Sequence, residues 1–259
     1  KLTLNKYLPY SLSIILNYEN KLSYGEFLVT KNDTLYTLLK KIRYNDIHYR
    51  KFTIIEGYEY YQFNNLIRTS KLTLDQYNLN NYKIIADTYS YYNKQSASSF
   101  LNDLNEFTID FFEKNKKSKM LKYFDINEII IISSLVEKEA INDYDRRLIS
   151  SVIFNRIAKN MKLDIDATVI YSITKGNYKL DRKLTYDDLK IDSKFNTYKN
   201  KGLPPVPICF PGIKTTQIVL KGFESPYYYY YFDKLKNSHI FSKSYKEHLI
   251  KLNEYKKNL

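Results

Sequence analysis

"IIIISSLVEKEA", residues 129–140, is a run built for burial that ends in two glutamates flanking one lysine. An α-helix turns through about 100° per residue. With Ile129 set at zero, Ile132, Leu135, Val136 and Ala140 share one apolar arc, and Glu139 falls inside it at about 280°. Glu137 falls at about 80°, beside Ser133 on the flank, and Lys138 points away from the stripe. A carboxyl facing an apolar wall loses hydration, which disfavours its charged form and raises its pKa. Glu139 is therefore a candidate general acid, still protonated near neutral pH. The alternative is a partly buried glutamate satisfied by an arginine or by backbone donors. Glu137 is expected to be ordinary or paired with a cation, and Glu137→Gln to be milder than Glu139→Gln.

Such a helix needs neighbours, and the flanking sequence supplies them. Asp125 or Asn127 suits its N-terminus. "YDRRLISSVIFNRIAKN" (144–160) reads as the next helix, with Leu148, Ile149, Val152, Ile153 and Ile157 as its stripe. Arg156 lies within that stripe. A buried guanidinium needs a carboxylate, unless its stem alone is covered. Asn155, on the stripe's edge, can reach a ligand or a loop. "LDIDATVIYS" (163–172) puts Asp164 and Asp166 on one face if it is extended. They can orient a sugar, pair with Arg156, or cap the following segment.

Further out, "GEFLV" (25–29) suits a short strand, "KNDTLYTLLKKI" (31–42) a helix capped by Asn32 or Asp33, and "RKFTIIEG" (50–57) a second strand. "EYYQFNNLIRTS" (59–70) and "ASSFLNDLNEFTIDFFEKNKK" (97–117) read as helices. "KGLPPVPICFPGIKT" (201–215) must be an extended loop. "SPYYYYYF" (225–232) suits a buried strand; "SHIFS" (238–242) and a lysine-rich amphipathic helix close the chain.

The 259 residues hold one large domain, or a small one plus a medium one. No stretch of 18 apolar residues marks a membrane span. The sequence begins at Lys1 without methionine, so a preceding segment is expected. The formal charge of +13 follows from an AT-rich coding bias or from attraction to a polyanion: nucleic acid, anionic lipid or cell wall. The basic residues are spread along the whole chain, without a P-loop, zinc-finger or RNP pattern, so no nucleic-acid partner is expected. Cys209 is the only cysteine, and His48, His239 and His248 lie far apart, so neither a metal nor a cofactor is expected.

Four blocks taken together carry a resemblance: "SSLVEKEA" (133–140), "RRLISSVIFNRIAKNMKLDIDATVIYSI" (146–173), "LTYDDLKIDSKFNTYKNKGLPPVPICFPG" (184–212) and "SHIFSKSYKEH" (238–248). In order and spacing they resemble the endolytic peptidoglycan transglycosylases of the YceG-like family. The resemblance is clear over 129–259 and weaker upstream, where 25–57 looks like that family's LysM-like subdomain. It implies an α+β fold, with a small LysM-like α/β subdomain in an N-terminal region 1–83 and a larger mixed α+β catalytic domain over 84–259.

The resemblance also implies cleavage of the bond between N-acetylmuramic acid and N-acetylglucosamine in nascent glycan strands, leaving 1,6-anhydro ends. It implies an enzyme anchored in the cytoplasmic membrane by a single-pass segment, with its catalytic region outside, near an anionic membrane surface. Peptidoglycan synthases and the division machinery are its implied partners. The family's catalytic glutamate, the second of Glu-Lys-Glu, falls on Glu139. Ser133, Asn155, Arg156, Asp166, Thr168, Tyr171, Asn196, Thr197, Tyr198 and His239 match the family pattern, as do Pro204, Pro205, Pro211 and Gly212. With Asp164 from the local pattern, the first ten are expected to bind substrate. The chain departs from the pattern at Ala167, where proline is usual, at Ser172 and Val206, where glycine is usual, and at Phe210, often polar. A non-catalytic LysM-type scaffold that binds peptidoglycan is the competing expectation.

Overall fold

The structure is a computed structural model that describes residues 7–18 and 25–258. It is an α+β chain. The helices among the described residues are α1 (Tyr7–Ile15), α2 (Leu35–Arg43), α3 (Tyr60–Thr69), α4 (Ala97–Lys114), α5 (Ile126–Glu139), α6 (Asp143–Ala158), α7 (Asp166–Thr174), α8 (Ile213–Lys221) and α9 (Tyr245–Lys257). The strands are β1 (Tyr49–Thr53), β2 (Thr88–Tyr92), β3 (Tyr229–Asp233) and β4 (Ser238–Ser242). No helix among the described residues is long and apolar enough to cross a membrane.

The chain divides into two compact units that interleave in sequence. The first holds the described residues up to Phe52, with Leu66–Tyr77 and Thr88–Phe100. The second holds Thr53–Asn65, Asn78–Asp87 and the described residues from Leu101 onward. A single crossing at 83/84 was the expectation from sequence. The chain instead returns to the first unit because β2 pairs with β1.

In the first unit, α2 begins at Thr34, whose hydroxyl accepts from the Thr37 N–H in a capping box. Asn32 or Asp33 was expected there. Asp33 instead gathers Thr30, Thr37 and the Lys41 ammonium, 2.7 Å away, and these donors hold its carboxyl below the usual range, Lys41 foremost. "GEFLV" forms no strand. Leu28 and Val29 are exposed, and among the described residues the His48 N–H reaching the Glu26 carbonyl at 2.7 Å is the one backbone bond to the segment. Phe52, Tyr91 and Phe100 pack ring on ring in the small core.

The second unit is organised around α5. Asp125 and Glu128 close a capping box at its N-terminus, each bond 2.9 Å long. Ile129, Ile132, Leu135 and Val136 are wholly buried among α6, α7 and α8. Burial of each such side chain contributes about 1.5–3 kcal/mol. Ile130 and Ile131 are nearly as buried, so α5 is covered on most of its circumference rather than along one stripe.

The proline-rich stretch becomes a tied, extended strap. Phe210 exchanges backbone bonds with Gly57 and Tyr58 at 2.9 and 2.8 Å, and the Ala86 N–H reaches Pro211 at 2.7 Å. The tyrosine run forms an antiparallel hairpin with β4, pairing Tyr230 with Phe241 and Phe232 with His239. Strand alternation divides its rings between two faces. Tyr229 and Tyr231 pack on His248 of α9, while Tyr230 lies against His239 and Phe241. The run is half-buried on both faces rather than fully enclosed.

Candidate active site

Glu139 is the last residue of α5, half-buried, and no basic group among the described residues pairs with it. Desolvation by burial is the largest cause that raises its carboxyl, to about 7. The nearby Asp166 charge pushes in the same direction. Two donors oppose this. The Tyr230 hydroxyl donates to Glu139 Oε2 at 3.2 Å, and the Ala167 backbone N–H favours the ionised form. The result is a carboxyl poised to hold a proton and to release it near neutrality.

Asp166 and Tyr198 stand beside it. Asp166 is the first residue of α7, so this segment is helical rather than extended as the sequence pattern allowed. The Tyr198 hydroxyl donates to Asp166 Oδ1 at 2.6 Å. Burial, followed by that carboxylate, pushes the Tyr198 phenol up. The segment 196–198 is fixed from within. Asn196 Nδ2 donates to the Leu189 and Ile191 carbonyls, and Asn196 Oδ1 accepts from the Tyr198 N–H. The Thr168 and Thr197 hydroxyls lie 2.9 Å apart, joining that segment to the first turn of α7.

Arg156 and Asn155 hold the other wall. Asn155 Nδ2 donates to the Ser225 and Tyr227 carbonyls at 2.9 and 2.8 Å. Arg156 is 7% exposed; its guanidinium donates to the Tyr228, Lys162 and Leu163 carbonyls and to Asp164 Oδ2 at 3.1 Å. It also lies over the Tyr229 ring, 5.2 Å from its centroid. The pair thus anchors the chain entering β3 and sets the register that delivers Tyr230 to Glu139. His239, with its side chain buried, bonds to the buried Asp145 at 2.8 Å and packs edge-on against Tyr230.

The expected substrate-binding residues therefore separate. Asp166 and Tyr198 lie with Glu139. Ser133, wholly buried, donates to the Ile129 carbonyl inside α5, and Arg156, Thr168, Asn196 and Thr197 are likewise buried and bonded within the protein. Asn155 is half-buried and bonded to the 225–227 segment. Asp164 is exposed and pairs with Arg156. Tyr171 packs against Phe195, the tilted rings 4.7 Å apart between centroids. Tyr230 was missed, because five consecutive tyrosines give no hint of which ring faces α5.

Glu137 pairs with a cation, one of the two outcomes expected of it, but lies deeper than the helical wheel places it. Its side chain is only 5% exposed, covered by segments that a wheel cannot see. Arg146 of α6 pairs with it at 3.3 Å, and the Gly212 N–H donates to Glu137 Oε2 at 2.9 Å. Beside it the strap is sewn to α5, with the Ile208 N–H on the Ser134 hydroxyl at 3.1 Å and the Cys209 thiol on the Ser134 carbonyl. Burial pushes that thiol up, away from reactivity. Of the two glutamates, one fastens the strap and the other carries the perturbed proton.

Removing either donor to the ionised Glu139 should raise its titration midpoint further. Tyr230→Phe and Ala167→Pro are each expected to move it up by about one pH unit, the worth of one hydrogen bond to a charged group. Proline is tolerated in a helix's first turn, where Ala167 sits. Side-chain carboxyl NMR reads the midpoint, and an unmoved value in both variants contradicts the assigned contacts.

Known proteins are similar to this chain. A Bacillus subtilis endolytic murein transglycosylase is 36% identical over 150 residues, 58% of this chain and 39% of that protein. One from Streptococcus pneumoniae is 28% identical over 179 residues, 67% of this chain and 31% of that protein. The chain spans less than two fifths of the length of these relatives. The crystal structure of a yceG-like protein from Listeria monocytogenes superposes with a TM-score of 0.65 at 24% identity, over 95% of this chain and 90% of that one, and shows the shared fold. The pattern of the YceG-like family matches residues 3–254, nearly the whole sequence, and the chain belongs to that family.

Proposed function

We propose that this chain is the catalytic part of an endolytic murein transglycosylase, acting on the MurNAc–GlcNAc bond of nascent peptidoglycan. The observation that carries the reading is the Glu139 carboxyl, desolvated and raised to about 7 beside Asp166 and Tyr198. The two transglycosylases to which the chain is similar support it.

Protonated Glu139 gives its proton to the glycosidic oxygen as the bond to the anomeric carbon breaks. The Asp166 carboxylate favours the oxocarbenium-like state that forms. The muramyl 6-hydroxyl then closes on the anomeric carbon, and ionised Glu139 takes the hydroxyl proton. Acid and base are one group, so no water is consumed and Glu139 returns to its starting state. A hydrolase would use a second carboxylate to activate water or attack the sugar. Tyr198 engages one oxygen of Asp166, and the choice of the lytic over the hydrolytic outcome rests on the similarity to the murein transglycosylases.

The buried members of the expected set — Ser133, Arg156, Thr168, Asn196, Thr197 and His239 — and the half-buried Asn155 act in this reading by holding the walls. Asp166, Tyr198 and Tyr230 meet the sugar or the acid. The LysM-like region about 25–57 holds glycan, and a membrane anchor outside this sequence keeps the chain near nascent strands on the outer side of the membrane. Synthases and the division machinery are the proposed partners there. Mass spectrometry of products from uncross-linked glycan strands tests the chemistry. The expected 1,6-anhydro ends are lighter by one water than hydrolytic ends, and reducing ends alone would overturn the reading.

A further inference from the structure

A cavity of about 290 Å³ opens in the second unit, and Glu139 is not among its walls. The buried Ile130 and Ile131 of α5 form part of its lining, with Tyr171 of α7 opposite. Val206 of the strap adds an apolar wall. Asn80, Asn81 and Asn127 are exposed residues lining it, and their side chains make no hydrogen bond among the described residues. Lys83 also lines it, and its ammonium has no ion-pair partner there. No carboxylate among the described residues lines the cavity.

Three unengaged amides, one unpaired cation and an apolar wall suit a ligand that joins amide groups, small apolar side chains and a negative charge. A short, carboxylate-bearing peptide has all three. Position agrees with this. Ile131 and Glu139 lie on the same helix, eight residues or about 12 Å apart along its axis. Tyr171 lies one turn beyond Ala167, whose N–H faces Glu139. An extended peptide covers about 12 Å with about four residues.

We propose that this cavity receives the stem peptide hanging from the muramyl sugar whose bond Glu139 cuts, and that Lys83 and Asn127 make the chain select peptide-bearing strands. The inference rests on the transglycosylase reading, and deepens it by naming a specificity site outside the catalytic group.

Cleavage kinetics on peptide-bearing strands and on the same strands stripped by an amidase test it. Lys83→Glu reverses the charge, and Asn127→Phe blocks the mouth from an exposed position. Each is expected to raise KM about tenfold on peptide-bearing strands with kcat unchanged, and to match the parent on stripped strands. Equal KM on peptide-bearing strands, or equal impairment on both substrates, overturns the proposal. If the parent chain cuts neither substrate, the catalytic reading fails separately. The cavity is then judged by titrating free stem peptide into the parent chain and Lys83→Glu. Weaker binding by the variant supports it, and equal or absent binding overturns it.

Discussion

Glu139→Gln is expected to abolish glycan cleavage while leaving a folded chain that still binds strands. An amide cannot donate the proton that the leaving oxygen needs, and general acid–base catalysis alone is worth about 10²–10⁴-fold. The substitution fits the site, because the uncharged carboxyl is already the form that burial favours. The sign of the pH effect on stability follows. The folded chain binds this proton more tightly than the unfolded chain, so the stabilisation is complete below the ordinary value of 4.5 and is lost as pH rises through about 7. The Gln variant should lack that component of the pH dependence. Glu137→Gln makes the contrasting control. It leaves the proton donor intact but removes the charge facing Arg146, so it should cost stability, about 1–3 kcal/mol, before it costs chemistry. Zymography with parallel urea melts separates the two, and normal cleavage by Glu139→Gln would remove the catalytic assignment.

Arg156→Ala is expected to be the most damaging change to the fold. One guanidinium satisfies three backbone carbonyls and the Asp164 carboxylate, from a position 7% exposed. Its removal leaves those acceptors without donors in a site alanine cannot fill. Each buried orphan costs about 1–3 kcal/mol. With three carbonyls orphaned, a loss of at least about 3 kcal/mol is expected, to which the exposed Asp164 adds little because it rehydrates. Lysine should not rescue it, because a single ammonium cannot reach Tyr228, Lys162 and Leu163 in their separate directions. A denaturant melt that loses less than about 1 kcal/mol would show that the 225–228 segment is held by something else.

Local pattern carried far where the determinants were local. The Asp125 cap and the buried faces of α5 and α6 follow from residues within a few turns, whereas the partners of Glu139 lie 27 residues away or more. Arg156 and its carboxylate were legible for the same reason, since Asp164 lies eight residues away. What escaped was set by distant partners. Glu137 is buried by Arg146 and by a strap 75 residues downstream. "GEFLV" has strand-forming residues, but no second strand among the described residues pairs with it. Asp166 opens a helix that has no side-chain cap to announce it. Tyr230 is distinguished from its neighbours only by the hairpin register, which pairs it with Phe241 and turns its hydroxyl to Glu139. The substrate contacts expected at Ser133, Thr168, Asn196 and Thr197 are internal bonds, because small hydroxyls and amides serve buried backbone as readily as a sugar.

The reading depends on one proton staying on one oxygen at neutral pH. Selective labelling of the Glu139 side-chain carboxyl and NMR titration of the free protein measures this directly. A midpoint near 7, moving upward in Tyr230→Phe, is the predicted result. A midpoint in the ordinary glutamate range near 4.5 would leave the chain without its acid.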